Sequence, residues 1–159
     1  MKANCIDSED GDLGLVGEVI RCQTAEVKHL TDQEIIPIVS PVSTEENSDS
    51  VLNTNADIAA SSLAAEMNVA KLVYISDVLG VLRDPDDDST LINTIKCSEV
   101  KELSDEGIIS GGMLPKLNSA IQAIESGVGK VHMIDGRIPH SLLLEIFTNT
   151  GIGTEIVPS

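Results

Sequence analysis

Aromatic side chains are almost absent from this sequence: Tyr74 and Phe147 stand alone among 159 residues, of which 42% are apolar. A core built without rings has to be filled by Val, Ile, Leu and Ala, and such a core suits parallel strands covered by helices. A chain of this length buries about two thirds of its unfolded surface in one core. A single domain over residues 1–159 is therefore expected.

Twenty-six acidic residues against ten lysines and arginines give a formal net charge of −16. Gripping phosphates needs clustered cations, so neither nucleic acid nor an anionic membrane surface is expected as a partner. No apolar run approaches the roughly 20 residues that span a bilayer. Cys5, Cys22 and Cys97 form no CxxC pair, and no His stands at zinc-ligand spacing, which reads as three reduced thiols. The start Met1-Lys2-Ala3-Asn4 lacks the basic segment and apolar core of a secretory signal, and a cytoplasmic location is expected.

Hydrophobic periodicity places the elements. A turn-like run from Asp7 to Gly11 suggests a hairpin between residues 2–6 and 13–21. Thr24 is placed to cap a short helix through Asp32, and Ile35-Ile36-Pro37-Ile38-Val39 reads as a buried strand. Thr44 to Ser50 reads as a loop. Between Asn55 and Asn68, residues Ile58, Ala59, Leu63, Ala64 and Met67 fall on one helical stripe, and the strand Lys71 to Ile75 follows. Helices are predicted at Glu99 to Asp105, from Met113 to Ser126 and from His140 to Phe147. A strand is predicted at Lys130 to Ile134, and Thr154 to Val157 is read as an edge strand. The alternation implies a three-layer αβα sandwich around a mainly parallel sheet, with an N-terminal β-hairpin and ligands at the carboxyl ends of strands.

Three polar constellations sit where such a fold binds ligands. Asn53-Thr54-Asn55-Ala56-Asp57 enters a helix, where exposed N–H groups hold anions; Asn55 as a cap and Asp57 as a dipole complement explain it equally simply. In Ser110-Gly111-Gly112-Met113-Leu114-Pro115-Lys116, paired glycines allow close backbone approach. Lys116 puts a cation at the unfavourable end of a helix dipole, which a bound anion or a nearby carboxylate would explain. Ser76-Asp77-Val78-Leu79-Gly80 follows a strand directly, so Asp77 either meets a ribose or metal-bound phosphate or begins a turn. The acidic run Asp84 to Asp88 lacks the glycine and terminal glutamate of an EF-hand and reads as a solvated loop. There is no GxxxxGK[ST] motif, and Gly11, Gly14 and Gly17 fit a hairpin better than a dinucleotide loop.

Together these segments resemble the acetylglutamate kinases from Gly11 to Val157. The residues that carry the resemblance are Gly14-Leu15-Val16-Gly17-Glu18-Val19, Leu52 to Asp57, Ser76 to Leu82, Gly111 to Lys116, and Ile134-Asp135-Gly136-Arg137 through Gly153-Thr154, in that order. The resemblance implies an amino-acid-kinase fold that moves the γ-phosphoryl of ATP, carried with Mg2+, to the side-chain carboxylate of N-acetyl-L-glutamate in arginine synthesis. By the same resemblance Lys116 and Asp57 would be catalytic. Asn53 would contact acetylglutamate, and Asp77, Val78, Leu79, Gly80, Val81, Leu82, Ile108, Ile109, Ser110 and Lys116 would bind ATP. No protein-held metal is implied.

The tail from His140 to Thr154 is similar to the segment that marks arginine-inhibited members, with His140, Glu145 and Gly151 implied as the arginine site. Family members also carry an amino-terminal half with a Lys-x-Gly-Gly strand and a glycine-rich acetylglutamate loop, and this sequence contains neither. It is expected to supply only the ATP half and to be inactive alone. A non-catalytic nucleotide- or arginine-binding module, or a kinase of the same family with another acceptor, stays open. So does a homo-oligomer.

Overall fold

The computed structural model describes residues 1–6, 13–148 and 151–159. The turn of the expected hairpin lies outside them. Mixed α/β structure is found throughout, in two compact units, Met1–Met67 and Asn68–Ser159. Each unit has its own four-stranded sheet.

In the first unit, β1 (Lys2–Cys5) pairs antiparallel with β2 (Gly17–Arg21), which is the expected hairpin. Gly17 lacks a side chain for a reason: a Cβ there would lie 2.8 Å from Leu52 Cδ1 and 3.0 Å from Ala3 Cβ. Helix α1 (Ala25–Asp32) follows Thr24, whose side chain makes no capping hydrogen bond, and α1 buries none of its residues. The expected strand Ile35–Val39 does not form. It is irregular, with Ile36 88% and Ile38 97% exposed; Pro37 removes one ladder donor, and no strand among the described residues pairs with the rest. The chain instead enters β3 (Val42–Glu45), parallel to β1, and β4 (Val51–Asn53), antiparallel to β3. The loop read from Thr44 therefore begins after Glu45. Helix α2 (Ala56–Met67) buries Ala59, Ser61 and Ala64, while Ile58 of the expected stripe is exposed.

In the second unit the sheet order is β5, β7, β8, β6. Strands β5 (Lys71–Ser76) and β7 (Lys130–Asp135) are parallel, β8 (Thr154–Val157) runs antiparallel to β7, and β6 (Thr94–Lys96) is parallel to β8. The strand expected at the edge, β8, is interior, because the short β6 adds beyond it and pairs Ile95 with Ile156. Val131, Met133, Ile134 and Ile156 are fully buried with Leu117 and Ala120 of α4 (Met113–Glu125). Alternate residues of a strand face opposite sides, so the burial of Val131 through Asp135 means both faces of β7 are covered. Helices α4 and α5 (Ser141–Phe147) both contact it, and α3 (Val100–Asp105) buries Val100 and Leu103 nearby in sequence. No helix among the described residues is long and apolar enough to cross a membrane.

Candidate functional site

Strands β5 and β7 run parallel and in register, with Ser76 opposite Asp135, so the loops leaving them emerge side by side. That edge is where open α/β sheets hold ligands. A cavity of about 530 Å3 lies there, within the roughly 300–1,000 Å3 typical of small-molecule sites. The loop Asp77, Val78, Leu79, Gly80, Val81 and Leu82 lines one side; Ile108, Ser110 and Met113 line the approach to α4; Asp135 ends β7, and Arg137 and Ile138 follow it.

The nucleotide loop expected from sequence is thus gathered into one cavity. Ile109 is 2% exposed and belongs to the core, and Lys116 lies further along the first turns of α4; neither is among the described lining residues. Gly80 adopts φ +154, and a Cβ on it would lie 2.5 Å from Thr154 Oγ1 and 2.8 Å from Leu91 Cδ1. Only glycine lets the loop approach β8 so closely. The buried Thr154 hydroxyl then accepts from the Val81 N–H at 2.9 Å and donates to the Ile92 carbonyl at 2.7 Å, which fixes the loop to the sheet.

Arg137 is the one cation among the described lining residues, and Asp135 orients it. Its Nε and Nη2 donate to Asp135 Oδ1 and Oδ2 at 2.9 and 2.7 Å, and its backbone N–H donates to Oδ1 at 2.8 Å. These bonds hold the Asp135 carboxyl below the usual carboxylate range and push the guanidinium up. Sequence reading quoted Asp135 and Arg137 without giving them a role. Their position just beyond a buried strand, across Gly136, is the signal that points to them. Asp87 of the acidic loop caps a short turn, accepting from the Ser89 N–H and hydroxyl.

A second cavity, of about 300 Å3, lies between α5 and the sheet; Glu145 and Gly151 line it together with Lys71, Lys130, His132 and Glu155. His140 is not among its described lining residues: it sits at the N-cap of α5 in a left-handed conformation, φ 62. The histidine facing Glu145 is His132, whose Nδ1 lies 2.5 Å from Glu145 Oε1. The Ile152 and Gly153 N–H groups donate to Glu145 Oε2 at 2.7 and 3.2 Å. Burial pushes this carboxyl up, but those two N–H groups and His132 outweigh it and hold it below the ordinary glutamate range. Gly151, at φ +64, leaves room for the carboxylate, since a Cβ there would lie 2.6 Å from Oε2. His132 Nε2 is buried with no hydrogen-bond partner among the described residues, and Glu155 Oε2 is 3.9 Å away.

The remaining predicted residues lie in separate units. Lys116 follows Pro115 near the start of α4 in the second unit; Asp57 occupies the first turn of α2 in the first. Asn53 ends β4, and its N–H donates to the Leu15 carbonyl at 2.8 Å. Asn55 is the cap of α2, its Oδ1 accepting from the Asp57 and Ile58 N–H groups at 2.9 and 3.1 Å.

With this geometry in hand, comparison with known proteins is decisive: the model of the amino acid kinase family matches residues 1–135. The chain belongs to the amino acid kinase family. Within it, the acetylglutamate kinase of Akkermansia muciniphila is 53% identical over 146 residues, covering 92% of this chain and 49% of that protein. The acetylglutamate kinase of Methanobrevibacter smithii is 50% identical over 93% of this chain and 50% of its own length. The chain spans about half the length of these relatives.

Among solved structures, N-acetylglutamate synthase from Neisseria gonorrhoeae, complexed with coenzyme A and L-arginine, superposes with a TM-score of 0.84 at 28% identity. It covers 99% of this chain and 37% of that one. Carbamate kinase from Giardia lamblia bound to AMP-PNP shares the amino acid kinase fold at TM-score 0.64 and 24% identity, over 86% of this chain and 44% of its own.

Proposed function

We propose that this chain is the ATP-binding half of an acetylglutamate kinase, which transfers the γ-phosphoryl of ATP to the side-chain carboxylate of N-acetyl-L-glutamate. The supporting observation is the 530 Å3 cavity at the carboxyl ends of the parallel pair β5 and β7, with the start of α4 at its rim. Backbone N–H groups at a helix start favour phosphate. Arg137, tied to Asp135 by only some of its N–H groups, has others to offer an anion. Mg2+ enters with the nucleotide.

The chemistry asks little covalent work of the protein. The acceptor carboxylate carries no proton to remove; its oxygen forms a bond to phosphorus as the bond to the leaving ADP oxygen breaks, giving an acyl phosphate and ADP. Catalysis is then positioning plus neutralisation of the moving phosphoryl group. Lys116 is assigned that neutralisation, Asp57 the orienting of the catalytic lysines, and Asn53 a contact to acetylglutamate. A second lysine belongs to the amino-terminal half, so the chain alone is inactive.

Mg-ATP at a hundred times its dissociation constant should stabilise the chain by about 2.7 kcal/mol, read by thermal shift, without turnover. No shift sinks the reading. A shift that persists with no turnover after the other half is supplied leaves a non-catalytic nucleotide module.

The second cavity supports an arginine feedback site, in which Glu145 and Gly151 act with His132 in place of His140. The favouring observation is a buried carboxylate with cation-binding chemistry, in a chain that superposes on a synthase solved with L-arginine. Arginine should raise the melting temperature of the chain, and Glu145→Gln should abolish that rise while keeping the Mg-ATP response.

A further inference from the structure

The second cavity holds a buried polar atom that nothing satisfies. The His132 side chain is 5% exposed, and its Nε2 has no hydrogen-bond partner among the described residues. Nδ1, 2.5 Å from Glu145 Oε1, faces an ionised carboxylate that only accepts, so the proton of the neutral ring sits on Nδ1 and Nε2 keeps a bare lone pair. Glu155 Oε2, on β8, lies 3.9 Å from Nε2, too far for a hydrogen bond. A buried acceptor without a donor calls for an explanation. Two things can supply one: a proton, which turns Nε2 into a donor beside Glu155, or an N–H group of a ligand in the cavity that His132 and Glu155 both line.

We propose that a proton and a cationic ligand compete for His132 Nε2, so that the cavity takes up L-arginine only while the ring is neutral. Charge points the same way. The described lining carries Glu145 from α5, Glu155 from β8, Lys71 from β5 and Lys130 from β7. With His132 neutral these balance, two of each sign; a protonated ring adds a third positive charge beside the carboxylate that would meet a guanidinium. The Lys130 ammonium, 2.7 Å away, holds the Glu155 carboxyl below the ordinary glutamate range, and Glu145 is held low despite its burial. Both carboxylates therefore stay charged between about pH 5 and 8, where histidine is the side chain that ordinarily titrates. A ligand that needs the lone pair expels the proton, so its affinity rises with pH and levels off once the ring is neutral.

This inference rests on reading the cavity as an arginine site, and the two fail differently. L-Arginine is titrated calorimetrically into the full chain between about pH 5 and 8, in buffers of differing ionisation enthalpy so that protons are counted. Toward the acid end, affinity should fall by about tenfold per pH unit, with about one proton released per arginine bound. Constant affinity, or proton uptake on binding, overturns the proposal and leaves the arginine site standing. No binding at any of these pH values overturns both. His132→Gln keeps a polar side chain that takes no proton, and its affinity for arginine should not vary with pH across this range. Should that variant not fold, Glu155→Gln decides. It removes the carboxylate that would steady a proton on Nε2, so the fall in affinity should begin about one pH unit lower; an unmoved profile overturns the proposal. His29→Gln, on α1 of the first unit, should bind like the parent, and a pH dependence that disappears with it would overturn the assignment to His132.

Discussion

Residues 130–135 and residues 35–39 are short apolar runs that predict the same thing, a buried strand. In the second unit β7 has β5 on one side and β8 on the other, with helices contacting it, and every residue from Val131 to Asp135 is buried. In the first unit the run 35–39 has no strand beside it among the described residues and leaves its isoleucines in solvent. A hydrophobic run thus specifies that a strand needs covering, and says nothing of where the cover comes from. The second unit completes itself and holds two cavities; the first keeps an unsatisfied demand.

The sharpest way to break this contrast is catalysis. If the second unit is complete but half of an active site, then with the missing half supplied Lys116→Ala should lower kcat by about 10²–10³-fold, the loss of one preorganised charge donor. Mg-ATP stabilisation should change much less. Unaltered kcat in a coupled assay would remove Lys116 from the chemistry.

Truncation compares the two runs directly. Ile134→Ala in the covered strand should destabilise the chain by about 2–5 kcal/mol, whereas Ile38→Ala should fall within about 0.5 kcal/mol, both read by urea unfolding. Equal costs would mean that residues 35–39 are buried in solution. A pH-dependent effect concerns Glu145. Its carboxyl is held below the ordinary glutamate range, so the stability it contributes is complete above a pH of about 4.3. That contribution is lost as pH falls through the lower folded value. Losing its charged hydrogen bonds should cost about 1.5 kcal/mol. The melting-temperature gap between the parent and Glu145→Gln should therefore be widest above pH 5 and close toward pH 3. A gap that widens on acidification would contradict the assigned sign.

Elements with their own periodicity were legible: α2, α4, β5 and β7 stand within a residue or two of their expected bounds. The short strands β3 and β6 were not. β3 and β6 each bury a single residue, Ser43 and Ile95, and exist because distant partners pair with them, which no local pattern encodes. The site divides the same way. The segment Ser76–Gly80 stood out because it follows a strong strand, and the resemblance extended it to Leu82. His132 was hidden within one; His140 was implied by the resemblance of the tail, and the histidine hydrogen-bonded to Glu145 is His132.

Residues 152–154 serve both cavities at once. Ile152 and Gly153 tether the acid of one, and the very next hydroxyl, on Thr154, latches the loop of the other. A single peptide unit, about 3.3 Å of extended chain, separates the two attachments. Whatever tugs Glu145 from its tether therefore pulls on the fastening of the loop Asp77–Leu82, and the tail works as a tie-rod between chambers rather than as a trailing end.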